Sequence, residues 1–470
     1  GRRMIGRIPH SLETDSQLLI RQLDDALGSG AHTKARAILN DMHPADVAEA
    51  FAEMKAVQRS VLVSLYDDEE LADFIEYLPL TDAVDVIDGL PEEIQASVLH
   101  ELPDDHVVDL LQEMEPQQKR DSLELLSDDK KEKAEHLLKF PDDSAGGRMT
   151  TAFASVRVDM TVGDAIHELA RIKEETELLA RIYVLDDNDR LLGKVRLRDL
   201  TFSEHDVRIR DIMDDEMLAV NAFADQEDAV QMIAKYDLVA VPVVNGSMQV
   251  LGVITHDDAL DIQEEENTED IEMQSGIVGS SADEAYLKAS VADHVKRRLG
   301  WVMVLALTAI ISGFVLHSFG GELEKAMILA IYLPMVVAAG GNTGGQAATM
   351  VIRAMSLGEL APTALLRVIW KELRIGILIG LATGLCIAVQ IKFTMAFMDN
   401  PFALWKVALT VAASLAAQIT ASTIIGAALP MLAKLARLDP AVVATPAITT
   451  IVDVTGLIIY FGSAKVVLGI

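Results

Sequence analysis

The feature that most constrains this chain is a series of five long apolar stretches towards its C-terminal end. Asp453 is the single acidic or basic residue within them. At about 1.5 Å per residue, helices of these lengths match the roughly 30 Å of hydrocarbon in a bilayer. Five such stretches in succession predict a membrane domain of five helices. The stretches are residues 299–321, 326–352, 375–391, 407–433 and 440–464.

Basic residues near the ends of these stretches predict how they are oriented. Nine lie on the side from which the first stretch starts: Lys296, Arg297, Arg298, Arg353, Arg367, Lys371, Arg374, Lys434 and Arg437. Four lie on the other side: Lys325, Lys392, Lys406 and Lys465. Because cytoplasmic ends carry the excess of Lys and Arg, we expect a multi-pass protein of the cell membrane with cytoplasmic N-terminal domains and its C-terminus outside.

The charge is concentrated in the first part of the chain. Residues 1–298 hold 30 Lys and Arg against 65 Asp and Glu, a balance of −35, whereas the remainder has a balance of +3. Such an acidic region repels nucleic acid and attracts cations. The first ten residues contain no apolar core, so no signal peptide is predicted there.

Two features inside the apolar stretches favour an ion path over a simple anchor. Asp453 lies mid-span in "TTIVDVTGLIIY", where a carboxylate costs about 2.5–3.5 kcal/mol. The second stretch contains "GGNTGGQ", residues 340–346. Irregular backbone at membrane depth requires burial in protein or contact with water, and its free carbonyl oxygens suit hard cations. We therefore expect an irregular segment that lines an ion path and faces Asp453. The alternatives are close helix packing at Gly340 and Gly341, and a hydrogen bond from Asp453 to a neighbouring helix.

Residues 40–127 repeat a short phrase in which proline precedes about ten residues of amphipathic pattern. The prolines are Pro44, Pro79, Pro91, Pro103 and Pro116. Proline is well suited to the first turn of a helix, and stacked short helices share one core. This segment is predicted to be a small all-α helical repeat.

A second repeat covers residues 146–262. Its copies begin at Met149 and Met213, and each has the pattern of strand, helix, strand, turn, strand and helix. The pattern resembles a tandem pair of α/β CBS modules. The ending "GVITHDD" resembles the junction at which such modules hold adenosine nucleotides, so Thr255 and Asp258 are candidates for binding ATP or a related nucleotide. Arg196 occupies the position of Thr255 in the first copy.

The CBS-like repeat is followed by an acidic segment that leads to the first span. A helix with acids at i, i+3 and i+4 suffers repulsion that Mg²⁺ or Ca²⁺ relieves through carboxylate coordination. An ordinary solvated helix face is the alternative interpretation. The predicted domains are a helical repeat (1–140), CBS modules (141–205 and 206–262), a connector helix (263–298) and a five-helix membrane domain (299–470).

In this order of domains, with "GGNTGGQ" and "DVTG" in the spans, the whole chain resembles the MgtE family of magnesium channels. The resemblance implies a homodimer with a pore along its two-fold axis. Asp453 would be the pore carboxylate that binds hydrated Mg²⁺, and at Gly345 the family often has Asn. The other pore candidates are Ala338, Gly341, Asn342, Thr349, Thr445 and Gly456.

The resemblance also implies that Mg²⁺ bound to the cytosolic domains closes the pore. The residues that match those sensor sites are Asp105, Asp109, Asp225, Asp258, Asp261, Glu266, Glu269, Asp270 and, at the membrane face, Asp439. The spacing of Asp105, Asp109 and Asp225 does not by itself indicate this role.

The function expected from the sequence is passive, Mg²⁺-selective and Mg²⁺-gated uptake through a channel rather than an enzymatic activity. The chain has no G-x-x-x-x-G-K-[ST] motif for nucleotide hydrolysis. Two alternatives remain open at this point: a secondary exchanger that exports divalent cations, and a membrane-tethered CBS sensor that conducts nothing.

Overall fold

The structure is a computed structural model, and it divides into two compact units, Gly1–Glu264 and Glu265–Ile470. The residues that it describes are 12–172, 176, 178–277, 289–321, 328–394, 402–438 and 440–469.

The first unit begins with short helices, as the proline repeat predicts. Pro44 and Pro116 are the first residues of their helices, and Pro79, Pro91 and Pro103 immediately precede theirs. Each helix turns apolar side chains into one shared core. The helices are α1 (Leu12–Gly28), α2 (His32–Leu39), α3 (Pro44–Glu53), α4 (Ala56–Val63), α5 (Asp68–Ile75), α6 (Leu80–Asp88), α7 (Glu92–Glu101), α8 (Asp104–Glu113), α9 (Pro116–Leu125) and α10 (Asp128–Leu137).

Two small three-stranded sheets follow, one for each copy of the second repeat. In both, the first two strands pair in parallel and the last two pair antiparallel. The first module comprises β1 (Phe153–Arg157), α11 (Val162–Ile172), β2 (Leu178–Leu185), β3 (Leu191–Arg196) and α12 (Leu197–Phe202). The second comprises β4 (Val220–Asn221), α14 (Gln226–Tyr236), β5 (Ala240–Val244), β6 (Val250–Thr255) and α15 (His256–Gln274), after the short α13 (Ile209–Ile212).

The two modules pack on each other, and the helical repeat packs on the second module. Tyr183 and Leu191 of the first module share a buried cluster with Val244 and Val253 of the second. The core of the helical repeat continues into β5 and β6 of the second module, for example at Ile254. The apolar positions of both repeats are therefore used to join domains as well as to build them.

The second unit contains long helices. Among the described residues, five helices are long and apolar enough to cross a membrane. They are α16 (Val291–Ser318), α17 (Ile328–Ser356), α18 (Leu365–Thr394), α19 (Leu404–Leu435) and α20 (Pro440–Leu468). Helix α19 packs against α17, α18 and α20. The predicted fold class is confirmed: a helical repeat, a CBS pair and five candidate membrane helices.

Candidate ion path and regulatory sites

The glycine-rich motif lies within an uninterrupted helix. Residues 340–346 are in the middle of α17, which runs from Ile328 to Ser356. The expectation of an irregular backbone at this point is wrong. Small residues let neighbouring helices approach closely, and that approach supports a regular helix despite the low helix propensity of glycine.

Two of the motif's glycines form a packed face of α17. Gly340 and Gly344 are buried. A Cβ at Gly340 would overlap the amide nitrogen of Gln418 and lie 2.9 Å from Val452 Cγ1, and one at Gly344 would lie 3.1 Å from Ile448 Cγ2. These glycines therefore permit contact with α19 and α20, and they do not line an open path.

The other two glycines belong to an open face of the same helix. No described atom outside the neighbouring turns comes within 4 Å of a Cβ built at Gly341 or Gly345. Residues at helical spacing extend this face and are exposed, including two amides that lipid would not solvate. The open face of α17 consists of Ala338, Gly341, Asn342, Gly345, Gln346 and Thr349.

Asp453 lies next to the packed face of α17. The preceding residue, Val452, is fully buried, and its side chain is one of those that approach both Gly340 and Gly344. Spans two and five differ by three crossings, so α17 and α20 run antiparallel. Successive residues of a helix point about 100° apart around its axis. When two antiparallel helices touch through one residue each, the next residue of each helix therefore points to the same side of the contact. We therefore expect half-buried Asp453 on the side of Gly341 and Gly345.

The remaining pore candidates differ in what the structure describes of them. Gly456 is buried, and a Cβ there would lie 2.8 Å from Gln418 Nε2, so within the described residues it contacts a neighbouring helix and its place on the ion path stays a prediction. Thr445 belongs to α20, but its side chain lies outside the described residues, as does the whole of Asp439.

Three of the sensor candidates of the first unit lie at helix starts or near basic groups. Arg148 joins two elements: its guanidinium is 3.9 Å from Asp109 of α8 and donates a hydrogen bond of 2.9 Å to Gln226 of α14. Asp225 is the N-cap of α14 and accepts from the Glu227 N–H at 2.9 Å. Asp105 is half-buried in the first turn of α8. Asp109 and Asp225 are thus brought towards each other through Arg148 and Gln226.

Two further candidates, Thr255 and Asp258, bond to each other at the start of α15. Asp258 accepts from the backbone N–H of Thr255 at 3.1 Å and from its hydroxyl at 2.5 Å. Together they cap the first turn of the helix. Burial raises the pKa of the Asp258 carboxyl, and the hydrogen bonds from Thr255 oppose that rise. Burial and the neighbouring Asp258 also raise the pKa of Asp261.

The last acids of α15 belong to the membrane unit. Glu266, Glu269 and Asp270 are half-buried, and the Ser356 hydroxyl at the end of α17 donates to Asp270 at 3.3 Å. The turn after α15 also packs on the first span, since Gly276 lies against the Trp301 ring. Over the described ranges, no three His, Cys, Asp or Glu side chains are grouped to hold a metal ion.

A cleft lies between the two CBS-like modules. Its volume is about 260 Å³, and it is lined from both modules. Three of its side chains are basic and three are acidic, and Lys194 lies 3.5 Å from Asp214. The basic side chains are the ones that suit phosphate groups. They are Arg181, Lys194 and Arg196, and Tyr236 of α14 also lines the cleft.

Comparison with known proteins identifies the family. The family model described as a divalent cation transporter matches residues 333–463, the model of the MgtE intracellular N domain matches 42–143, and the CBS domain model matches 145–205 and 209–265. The magnesium transporter MgtE of Thermus thermophilus is 33% identical over 449 residues, which are 95% of this chain and 98% of that protein. This chain belongs to the MgtE family of magnesium transporters.

Other MgtE relatives agree with this assignment. The magnesium transporter MgtE of Bacillus subtilis is 30% identical and covers 95% of this chain and 96% of its own length. A crystal structure of the cytosolic domain of the Mg²⁺ channel MgtE in complex with ATP matches with a TM-score of 0.50 and 30% identity, over 52% of this chain and 99% of that one. The predicted family is confirmed, and it is a transporter family rather than an enzyme family.

Sequence reasoning missed two groups of residues that the structure brings forward. Gln418 touches Gly340, Gly456 and the segment beside Asp453, and its one signal in the sequence is a lone amide within "SLAAQITAS". The basic cleft residues of the MgtE CBS pair lie on separate strands, so their convergence required the sheet packing.

Proposed function

We propose that this chain is a Mg²⁺-selective channel for passive uptake, with a pore between two copies of the open face of α17. The observation that carries the proposal is the exposure of Asn342 and Gln346 in a membrane span that also presents Gly341 and Gly345. Polar side chains at membrane depth face protein or water rather than lipid. A second copy of the chain across a two-fold axis would supply a protein surface, and the pore between the two copies would supply water.

In this pore, the chain supplies charge from Asp453 and space from its glycines. Mg²⁺ gives up its water shell reluctantly and is usually held by one or two carboxylates together with waters. One Asp453 per chain, doubled by symmetry, meets that need. Gly341 and Gly345 leave room for the waters of a hydrated ion. A membrane potential that is negative inside favours entry of the divalent charge by about 4.6 kcal/mol per 100 mV.

The test is Mg²⁺ flux into proteoliposomes down an imposed gradient. We expect Asp453→Ala to abolish flux while the protein stays folded, and Asp453→Asn to keep part of it because the amide oxygen still accepts from ion-bound water. Glu359→Ala, an exposed acid after α17, is the matched control and keeps full flux. Full flux in Asp453→Ala would overturn the proposal, and a requirement for an opposing ion gradient would favour an exchanger.

We further propose that Mg²⁺ closes this pore by bridging cytosolic acids. The candidates on α15 follow one helix from the CBS pair to the membrane unit, where Asp270 meets the end of α17. Repulsion among these acids opposes their approach, and a bridging divalent cation removes it. A change from 1:99 to 99:1 in favour of the closed form needs roughly 5.5 kcal/mol of differential binding, which several weak sites together supply.

An adenosine nucleotide is the second proposed ligand, and the cleft between the CBS modules is its proposed site. Arg181, Lys194 and Arg196 would hold the phosphates there. The related cytosolic domain solved with ATP supports this class of ligand. Thr255 and Asp258, the candidates expected from the sequence, already satisfy each other's hydrogen bonds at the start of α15.

A further inference from the structure

Helix α19 carries a row of buried polar residues, and one of them bonds to another helix. Thr410, Ser414, Gln418 and Ser422 are fully buried at intervals of four residues. The hydroxyls of Thr410 and Ser414 donate to carbonyls of their own helix, a local bond that any helix offers. Gln418 instead donates to another helix: its Nε2 is 2.8 Å from the carbonyl oxygen of Val452 in α20.

The amide of Gln418 is held where three helices meet. A Cβ at Gly340 of α17 would overlap Nε2, and a Cβ at Gly456 of α20 would lie 2.8 Å from it. Only the NH₂ end of the side chain can donate to the Val452 carbonyl, so the hydrogen bond fixes which way the amide points. Its Oε1 is buried and has no hydrogen-bond partner within the described ranges. The bond to Val452 is therefore the specific tie that orients this side chain.

Val452 immediately precedes the carboxylate proposed to hold the ion. We propose that Gln418 is a positioning residue for Asp453, a role that rests on the proposed function of Asp453 in the ion path. The hydrogen bond fixes the rotation of α20 at Val452, and Gly340 and Gly456 leave the space that the amide needs. Because successive helical residues are about 100° apart, fixing Val452 against α17 and α19 sets the direction of Asp453.

The first test compares one substitution in two backgrounds. Gln418→Met keeps the length of the side chain and removes the donor. In the wild-type background we expect the Mg²⁺ concentration for half-maximal flux to rise about 3- to 20-fold, the factor that corresponds to one interhelical hydrogen bond in a membrane protein. In the Asp453→Asn background we expect no further change. An equal change in both backgrounds, or none in the wild type, would overturn the proposal.

Two variants protect this comparison from an uninformative result. Thr410→Val removes a buried hydroxyl two turns away on the same face of α19. It should leave the Mg²⁺ concentration for half-maximal flux unchanged in both backgrounds. If Gln418→Met does not fold, Gln418→Asn replaces it, since that amide is polar but too short to reach Val452. Full flux in both Asp453→Asn and Asp453→Ala would count against the proposed ion path. If Asp453→Ala is inactive but the Gln418 variants keep the wild-type Mg²⁺ concentration for half-maximal flux, the result counts against the positioning role alone.

A second test needs no flux. Cys386 is the single cysteine of the chain, so Cys386→Ala gives a background in which Asp453→Cys is the one thiol. We expect Gln418→Met to change its rate of modification by a cationic methanethiosulfonate reagent several-fold. A Thr349→Cys probe on the open face of α17 should react equally with and without Gln418. Unchanged reactivity of Asp453→Cys would overturn the proposal.

Discussion

The two faces of α17 use the same residue for opposite purposes. On the packed face, Gly340 and Gly344 let Gln418, Val452 and Ile448 reach the helix. On the open face, Gly341 and Gly345 have free space where a side chain would be, beside exposed Asn342. Glycine therefore brings helices together on one side of α17 and leaves room on the other. A substitution at adjacent positions separates these two roles.

The largest expected effect is that of Gly340→Val on the packed face. The new side chain would collide with the Gln418 amide and with Val452, both of which are fully buried. Overpacking of this kind costs about 1–3 kcal/mol or more, and it also displaces the amide from its hydrogen bond. We expect little folded protein, measured by monodisperse yield and by the thermal unfolding midpoint in detergent. A normal unfolding midpoint would show that the packed face can accommodate the larger side chain.

The same change one residue along should have a different outcome. Gly341→Val places its side chain in open space within the chain, so we expect a normal unfolding midpoint. Flux of Mg²⁺ should fall to background, because a β-branched side chain narrows the path beside Asp453. Conduction with unchanged Mg²⁺ over Co²⁺ selectivity would show that the open face contacts another protein surface rather than an ion.

The acidic residues of α15 also differ in what they contact. Asp258 bonds to Thr255 at the start of the helix, whereas Asp261, Glu266, Glu269 and Asp270 follow it along the same helix. Neutralising those four, with Asp258 kept, should raise the Mg²⁺ needed to close the channel by about tenfold or more, because bridging needs carboxylate oxygens. The measurement is flux against internal Mg²⁺.

Two further results sharpen this test. Neutralising four exposed acids of the helical repeat, Glu92, Glu93, Glu132 and Glu135, makes the same change in charge and should not move the closing concentration. Burial raises the pKa values of Asp258 and Asp261. Protons therefore compete with Mg²⁺ for these carboxylates at pH values above the range in which carboxyl groups ordinarily titrate. The wild-type closing concentration should therefore rise as the pH falls. A four-residue variant that closes without Mg²⁺ would show that repulsion alone opens the gate.

The smallest expected effect separates helix capping from nucleotide binding. Thr255→Ala removes the cap of α15 at a cost of about 1 kcal/mol, so amide exchange in its first turn should be about fivefold faster. ATP binding should be unchanged, whereas Arg196→Ala should weaken it by about tenfold through loss of a charge-assisted hydrogen bond. Calorimetric titration of the full chain measures both. If Thr255→Ala weakened ATP binding and Arg196→Ala did not, the result would favour a nucleotide site at Thr255.

The sequence by itself determined the elements of this protein. Helix length and apolar composition predict five spans, because each span must satisfy its own backbone hydrogen bonds. Regular prolines predict the helical repeat, and an internal copy of about sixty residues predicts the CBS pair. These are local properties, so they can be read from neighbouring residues alone.

Only the tertiary structure decided which side of each element does what. The sequence motif suggested broken backbone, yet α17 is continuous because α19 and α20 pack onto Gly340 and Gly344. The importance of Gln418 depends on a hydrogen bond to a carbonyl 34 residues away. Gly340 and Gly341 are the same residue type and have the same helix propensity. They differ in whether a neighbouring helix approaches them. That difference follows from the crossing of three helices, which no local pattern encodes.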